Sequence, residues 1–258
     1  MPDSNSNPTT RFSSRVADYV KYRPGYPDTL LDLLRKECNL TINSIIADIG
    51  SGTGKLTELF LKNGNPVFGI EPNLERREAG ERLLKPFTSF TSIAATAEAT
   101  TLPSQSVDFI TAGQAFHWFK RDLARQEFIR ILKPGGWTVL IWNDRHTMAS
   151  PFLEAYEELL RNCSTDYRAV DHKNVDATVI ASFFGRGGFN RAMFPNDQSF
   201  DLAGLQGRLM SSSYAPESSH PNHIPMLNEL SAIFQRHQSN GQVVFKYDTL
   251  VYFGQLST

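Results

Sequence analysis

The stretch Asp48-Ile49-Gly50-Ser51-Gly52-Thr53-Gly54-Lys55 decides the fold of this chain. It follows a short apolar run at 44–49 and precedes the helical pattern of residues 55–61. Glycine adopts positive φ angles without a steric cost, so a glycine-rich turn between a buried strand and a helix lets the backbone approach a ligand closely. In open α/β sheets this turn lies at the carboxyl end of a strand, where ligands bind. The stretch therefore predicts a ligand-binding α/β domain.

Strand and helix patterns alternate around this loop. Apolar runs predict strands at 44–49, 67–70, 90–94, 107–111 and 137–142, and helical spacing predicts helices at 55–61, 73–84 and 119–132. This alternation is typical of right-handed βαβ units and a mainly parallel sheet. Beyond residue 143 the pattern changes to predicted helices at 151–161, 176–184, 202–210 and 224–237, with strands at 189–200 and 243–253.

Composition excludes several classes of protein. Of the 258 residues, 40% are hydrophobic and 21% charged, which is ordinary for a chain that buries a core. The 26 basic and 27 acidic residues provide no basic surplus for a nucleic-acid partner. Cys38 and Cys163 are too few for a disulfide framework, and no apolar stretch approaches the ~20 residues of a membrane span. We expect a cytoplasmic protein with neither a nucleic-acid nor a membrane partner.

An acid at the end of the second predicted strand narrows the choice of ligand. Glu71 stands 21 residues after Gly50 (71 − 50), where a carboxylate can accept both hydroxyls of a ribose. The loop reads Gly-x-Gly-x-Gly, whereas the dinucleotide fingerprint reads Gly-x-Gly-x-x-Gly. Asp48 precedes the first glycine by two residues, so it would be poorly placed beside a pyrophosphate and suits an ammonium group. These features favour S-adenosylmethionine over NAD.

The loop and four later motifs resemble class I S-adenosylmethionine-dependent methyltransferases. The later motifs are Gly69-Ile70-Glu71-Pro72, Ala97-Glu98, Ser106-Val107-Asp108-Phe109-Ile110 and Arg130-Ile131-Leu132-Lys133-Pro134-Gly135-Gly136. Their order and spacing are similar to the small-molecule branch called type 11 over residues 45–143. The segments Tyr22-Arg23-Pro24-Gly25-Tyr26-Pro27 and Gln114-Ala115-Phe116-His117-Trp118-Phe119 are similar to trans-aconitate methyltransferase-like proteins.

This resemblance implies an architecture for the whole chain. We expect an α/β fold with a doubly wound, mainly parallel seven-stranded sheet, the Rossmann-like methyltransferase fold, with added N-terminal and C-terminal helices. A disordered tail is predicted at 1–10 and a single methyltransferase domain at 11–258. Within it, the resemblance implies a cofactor-binding core at about 40–143 and substrate-side additions at 11–34 and 144–240.

The resemblance also assigns roles to individual residues. Glu71 would hold the ribose, and Gln114 would face the reactive end of the cofactor. Many relatives have Asp where this chain has Thr96, so either Thr96 or Glu98 would contact the adenine amino group. The residues implied to bind S-adenosylmethionine are Asp48, Gly50, Ser51, Gly52, Gly54, Glu71, Pro72, Ala97, Glu98, Gln114, Tyr22 and Arg23.

Methyl transfer from a sulfonium is an in-line displacement, so the protein mainly positions the reactants and excludes water. Neither a metal site nor a catalytic triad is expected, and the histidines are scattered. Three residues are candidates for the chemistry. Trp118 would stack near the sulfonium or pack against the next helix, and His117 is a candidate general base. Arg145 would pair with a substrate carboxylate, or with a structural acid such as Asp144.

The N-terminal segment with Tyr22 and Arg23 has two interpretations. It folds over the cofactor as a lid that contacts the methionine carboxylate or the substrate, or it packs on the surface with snorkelling side chains. Arg23 and Arg145 together would give a substrate pocket a positive bias.

The leading functional hypothesis is methyl transfer to a small molecule. A carboxylic acid is a natural acceptor because it is ionised at neutral pH and needs no base. An NAD-dependent oxidoreductase and a non-catalytic S-adenosylmethionine-binding protein remain alternatives. Amino-group methyltransferases that act on bases often carry Asn/Asp-Pro-Pro-aromatic after strand four, where this chain reads Ala112-Gly113-Gln114-Ala115-Phe116, so a nucleic-acid substrate is disfavoured.

Overall fold

A seven-stranded sheet organises the part of the chain that the computed structural model describes, residues 16–165, 167, 176–212 and 214–257. Its strand order is β3-β2-β1-β4-β5-β9-β6, and the neighbouring pairs from β3 to β5 are parallel. A second sheet pairs β7 with β8 in antiparallel orientation. The strands are β1 Ile46–Ile49, β2 Val67–Ile70, β3 Phe90–Ile93, β4 Val107–Gly113, β5 Leu132–Arg145, β6 Asn190–Pro195, β7 Gln198–Phe200, β8 Val243–Phe245 and β9 Tyr247–Gly254.

Helices follow most strands of the first half, and further helices fill the second. They are α1 Val16–Tyr22, α2 Thr29–Cys38, α3 Lys55–Lys62, α4 Leu74–Leu84, α5 Arg121–Ile131, α6 Pro151–Cys163, α7 Ala177–Phe184, α8 Leu202–Met210 and α9 His223–His237. None of these described helices has the length and apolar character needed to cross a membrane.

The chain divides into two compact units. The first, which we call the sheet unit, comprises Gly25–Asn143, Lys173–Phe194 and Thr249–Thr258. The second, the helical unit, comprises Met1–Pro24, Asp144–His172 and Pro195–Asp248. The single domain expected over 11–258 stays a prediction, and the tail expected at 1–10 lies outside the described residues.

The doubly wound, mainly parallel seven-stranded sheet is confirmed. Every residue of β1 is buried, and its three apolar side chains divide between two apolar clusters. Ala47 and Ile49 belong to one cluster, and Ile46 belongs to the other. A strand covered on both faces reads as a continuous apolar run, which is why the sequence pattern identified it.

Two predicted strands in the second half of the chain are wrong as single strands. Residues 189–200 divide into β6 and β7, and residues 243–253 divide into β8 and β9. The division occurs where Asn196 N donates to Tyr247 O at 2.9 Å and Tyr247 N donates to Asp197 Oδ1 at 3.2 Å. The polar Asn196-Asp197 pair therefore separates β6 from β7, although β-propensity alone favours one long strand.

The region after β4 also departs from the prediction. The helix expected at 119–132 starts at Arg121 and is preceded by a 3₁₀ turn at Phe116–Trp118. Phe116 is fully buried and packs edge-on against Phe183, Phe119 and Trp142, with ring centroids at 4.7, 5.9 and 6.1 Å. These aromatic contacts fix the turn that follows the sheet.

We predict that Phe116→Ala lowers the free energy of unfolding by about 3–5 kcal/mol, because it leaves a cavity among three rings. Leu123→Ala, at an exposed apolar position on the neighbouring helix, should change it by less than about 0.5 kcal/mol. Urea denaturation of both variants measures the difference. A loss below about 1 kcal/mol for Phe116→Ala would contradict the packing described.

Candidate functional site

The glycine loop leaves β1 through three residues with positive φ. Gly50, Gly52 and Gly54 have φ angles of 70°, 59° and 88°. Gly50 N and Ser51 N both donate to Ile70 O of the neighbouring strand, at 2.8 and 3.1 Å. Gly54 then caps the amino terminus of α3. Residues with a Cβ are strained at such angles, so the loop conformation requires glycine.

The three glycines differ in what a side chain would meet. A Cβ at Gly50 would lie 2.5 Å from Ala115 Cβ, and one at Gly54 would lie 2.5 Å from Leu84 Cδ1. A Cβ at Gly52 would meet nothing closer than Gly50 O at 3.9 Å. Gly50 and Gly54 thus permit close packing of the protein itself, whereas Gly52 leaves a cradle that a ligand can approach. This cradle is what the close approach of a cofactor to the loop requires.

Glu71 connects this loop to the end of β2. Its carboxylate is buried, with Oε2 accepting from Gly52 N at 2.9 Å and Oε1 accepting from Asn73 N at 2.8 Å. A carboxylate oxygen can accept two hydrogen bonds, so each oxygen retains the capacity to accept a ligand hydroxyl. Glu71 is therefore placed both to hold the loop and to bind a pair of hydroxyls.

Asp48 is the second buried carboxylate of the loop. Thr57 Oγ1 donates to its Oδ2 at 2.6 Å and Thr111 Oγ1 donates to its Oδ1 at 3.1 Å. Burial raises the pKa of Asp48 from 3.8 to about 6, although the two hydroxyls oppose this shift. Its carboxylate takes part in none of the ion pairs between the described residues. A buried anion of this kind favours a cationic ligand.

Neither Thr57 nor Thr111 belongs to a motif of the sequence. The available signal was the position of Thr111 within the apolar strand 107–111, since a polar side chain buried in a strand needs a partner. Thr57 lies in the first turn of α3, where the helix brings it back towards the strand end.

The residues predicted to flank the adenine lie between β3 and β4. Ala97 is buried, and Thr96 is exposed in a turn where it bridges to Ala99. Glu98 Oε1 accepts from Lys120 N at 2.8 Å, immediately before α5. One carboxylate oxygen of Glu98 is thus already hydrogen-bonded within the protein. Pro72, another residue predicted to bind the cofactor, lies exposed after β2. The choice between Thr96 and Glu98 as the adenine contact stays a prediction.

Gln114 belongs to a polar network that sequence analysis did not foresee. Gln114 has a positive φ of 56° and its Nε2 donates to Asn143 O at 3.0 Å. Asn143 Oδ1 accepts from Thr249 Oγ1 at 2.6 Å, while its Nδ2 donates to Gly25 O at 2.9 Å. The network joins the ends of β4 and β5 to β9 and the segment before α2. Only the position of Asn143 after an apolar strand signalled it in the sequence.

His117 and Trp118 lie in the turn after β4. Their rings contact each other, with centroids 4.8 Å apart, and Trp118 is 49% exposed. Phe116 and Phe119 on either side supply the packing. The half-exposed side chain of Trp118 is compatible with both interpretations, a wall of the site and packing against the next helix, and the choice between them stays a prediction. Its role in the chemistry and that of His117 stay predictions.

The other predicted site residues belong to the helical unit. Arg23 donates from Nε to Ser211 Oγ at 3.0 Å and from Nη2 to Ser212 Oγ at 3.0 Å. The ring of Tyr22 packs so closely on α8 that a side chain at Gly207 would overlap it. Arg145 Nη2 pairs with Glu157 Oε2 at 2.6 Å. A structural acid for Arg145 was one of the two expectations, and Glu157 fills that place.

No group of three or more His, Cys, Asp or Glu side chains in the described residues is arranged to hold a metal ion. The candidate site thus consists of the glycine loop, the carboxylates of Asp48 and Glu71, and the turn at Phe116–Trp118.

Comparisons with known proteins agree with this geometry. Residues 47–140 match the family model of the methyltransferase domain. A relative from Schizosaccharomyces pombe, named an uncharacterized methyltransferase, is 29% identical over 251 residues, which are 93% of this chain and 95% of the relative.

Solved structures share the fold. A candidate type II methyltransferase of Anaeromyxobacter dehalogenans has a TM-score of 0.66 at 18% identity, covering 90% of this chain and 97% of that chain. Phosphoethanolamine N-methyltransferase 2 of Haemonchus contortus, in complex with phosphomonomethylethanolamine and S-adenosylhomocysteine, has a TM-score of 0.56 at 13% identity. That match covers 95% of this chain and 58% of the other.

The raised pKa of Asp48 predicts how stability depends on pH. Its folded-state value of about 6 exceeds the unfolded value of 3.8, so its contribution to stability is complete below pH 3.8 and is lost as the pH rises through about 6. Between about pH 3.5 and about pH 8 the wild type should lose about 3 kcal/mol relative to Asp48→Asn. Urea denaturation across this range measures the loss, with Asp122→Asn on the exposed face of α5 as the control. A difference that does not vary with pH would refute the prediction.

Proposed function

We propose that this chain is a class I S-adenosylmethionine-dependent methyltransferase that binds its cofactor at the glycine loop and methylates a small acidic molecule. The match of residues 47–140 to the methyltransferase domain model supports the methyltransferase resemblance drawn from the motifs. The observation that carries the cofactor proposal is the cradle above Gly52, bordered by the buried carboxylate of Glu71.

Three residues around the glycine loop have different parts in the proposed cofactor binding. Glu71 accepts the ribose hydroxyls while its bonds to Gly52 N and Asn73 N hold the loop in place. Asp48 provides a negative charge for the ammonium of the methionine part. Gln114 is held at the end of β4 by its bond to Asn143 O. When bound, S-adenosylmethionine supplies a methyl group already activated on a sulfonium.

The oxidoreductase alternative fits this loop less well. A dinucleotide places a pyrophosphate against the glycine loop. Asp48 and Glu71 are both buried there, so two phosphate charges would be brought towards two carboxylates. Like charges in a buried site repel strongly because little water screens them. This repulsion supports S-adenosylmethionine over NAD.

The protein contributes to the chemistry by positioning the reactants and by excluding water. Trp118 offers an exposed aromatic face beside His117, and such a face attracts a sulfonium by about 0.5–2 kcal/mol. His117 would serve as a base only for an acceptor that must lose a proton. A carboxylate acceptor is already ionised and needs positioning alone.

The acceptor is proposed to be a small molecule. The balanced charge of the chain, with 26 basic and 27 acidic residues, supports neither a nucleic acid nor an anionic membrane as partner. We place the activity in the cytoplasm. A radiolabelled methyl-transfer screen against small acids, phenols and amines tests this proposal. Transfer to phenols or amines with none to acids would reject the acidic acceptor.

Gly52→Ala tests the cradle. We expect the affinity for S-adenosylhomocysteine, measured by calorimetry, to fall at least about tenfold, because the new Cβ enters the space that the ligand approaches. Gly135→Ala is the matched control, since Gly135 also has a positive φ, of 79°, and a Cβ there would meet no atom within 4 Å. Both variants carry similar backbone strain, and only Gly52→Ala should lose binding. Equal binding by both would show that the loop is not the site.

Trp118 variants test the aromatic face. Trp118→Leu should weaken the binding of S-adenosylmethionine about twofold to thirtyfold, while the affinity for S-adenosylhomocysteine, which lacks the sulfonium charge, stays unchanged. Trp118→Phe keeps an aromatic face and should retain most of the affinity for S-adenosylmethionine. If the Leu and Phe variants bind S-adenosylmethionine alike, the aromatic face does not contact the sulfonium.

A further inference from the structure

Two arginine side chains of the helical unit donate hydrogen bonds to the same serine hydroxyl. Arg23 Nη2 donates to Ser212 Oγ at 3.0 Å, and Arg208 Nη1 donates to the same oxygen at 3.3 Å. Arg208 is buried, and its Nε and Nη2 both donate to Tyr247 Oη, at 3.0 and 2.6 Å. Two guanidinium groups that share a neutral partner repel each other, so this arrangement is unfavourable without an anion.

A third arginine, Arg145, contacts tyrosines of the same unit. We call Arg23, Arg145 and Arg208 with these tyrosines the cluster. Arg145 lies 5.3 Å from the ring centroid of Tyr156 and donates to Tyr167 Oη at 3.1 Å. Tyr167 in turn packs edge-on against Tyr214, with centroids 4.9 Å apart. Burial alone would raise the pKa of Tyr214, but the charges of Arg23, Arg208 and Arg145 outweigh it and lower that pKa. Tyr214 therefore experiences the positive field of all three arginines.

The cluster has one acid among the described residues that contact its arginines. Glu157 pairs with Arg145 at 2.6 Å and also with the more exposed Arg161 at 3.4 Å, so the three arginines of the cluster keep a net positive charge of at least two (3 − 1). Burial and the neighbouring Arg208 lower the pKa of Arg23, as expected where like charges are held together.

Two buried donors of the cluster form no hydrogen bond with any described atom. They are Nη1 of Arg145, whose side chain is 10% exposed, and Oη of the fully buried Tyr156. Buried donors in native proteins are nearly always paired, and an exception indicates an ion, a water or a ligand. Oxyanions accept several hydrogen bonds at once and match the planar fork of arginine.

We propose that Arg23, Arg145, Arg208, Tyr156 and Tyr214 form a binding site for a small dianion. A dianion matches the net charge of the cluster and supplies acceptors for the two unpaired donors. The inference that this dianion is the acidic part of the methyl acceptor rests on the proposed function. The ligand class is therefore a dicarboxylate or a phosphate monoester, which share the same charge.

Calorimetry on the full chain at constant ionic strength tests the site. The probes are succinate, inorganic phosphate and acetate, and the variant is Arg23→Gln, at a partly buried position. We expect succinate or phosphate to bind the wild type at least about tenfold more tightly than acetate, and Arg23→Gln to weaken that binding about tenfold or more. Arg236→Gln, at an exposed arginine of the same unit on α9, is the control and should bind as the wild type does.

The two dianions distinguish the source of the ligand. Preference for succinate identifies a dicarboxylate, and preference for phosphate identifies a phosphate ester. If Arg23→Gln fails to fold, Tyr156→Phe replaces it, because removing a hydroxyl without a partner leaves the packing intact; succinate or phosphate binding should fall severalfold.

The proposal is overturned if neither dianion binds the wild type, or if the site variants bind as Arg236→Gln does. S-adenosylhomocysteine binding is measured on the same samples. Cofactor binding without dianion binding rejects this site alone, whereas dianion binding without cofactor binding rejects the proposed function and leaves the site standing.

Discussion

The glycine loop depends on the burial of two carboxylates at the ends of adjacent parallel strands. An ionised carboxylate is costly to bury unless hydrogen bonds replace its water. Glu71 obtains them from backbone N–H groups, which fixes the path of the loop, and Asp48 obtains them from two hydroxyls. The path that brings Gly52 N to Glu71 while β1 continues into α3 has positive φ angles at its three glycines.

The sheet unit was largely predictable because its central strands β1, β2 and β4 are buried almost throughout. Such strands appear as apolar runs, and the loop and Glu71 mark two of their carboxyl ends. What could not be predicted were contacts between residues distant in sequence. Thr111 and Asn143 lie within or after apolar strands, but their partners Asp48 and Thr249 are 63 and 106 residues away. Periodicity reports which face of a strand is buried and carries no information about such partners.

The helical unit was less predictable for a different reason. Its strands β7 and β8 have three residues each. In the sequence, β7 continues the run of residues that begins with β6, and β8 runs into β9. β-propensity does not indicate where such a run is interrupted. In the structure, the hydrogen bonds of Tyr247 to Asn196 and Asp197 mark the interruption. Likewise, nothing in the sequence spacing of Arg23, Arg145 and Arg208 indicates that all three lower the pKa of the same tyrosine, Tyr214.

Each unit therefore holds buried charge that the side chains described in it leave uncompensated. In the sheet unit this charge is the carboxylate of Asp48, and in the helical unit it is the excess of arginine over Glu157. Such charge opposes folding, and replacing it with neutral groups of similar shape commonly stabilises a protein. A ligand of opposite charge removes the penalty and stabilises the unit that binds it. The opposite signs favour different chemical groups, an ammonium near Asp48 and an oxyanion near the arginines, so the proposed methyl donor and the proposed acidic acceptor would not compete for the same charge.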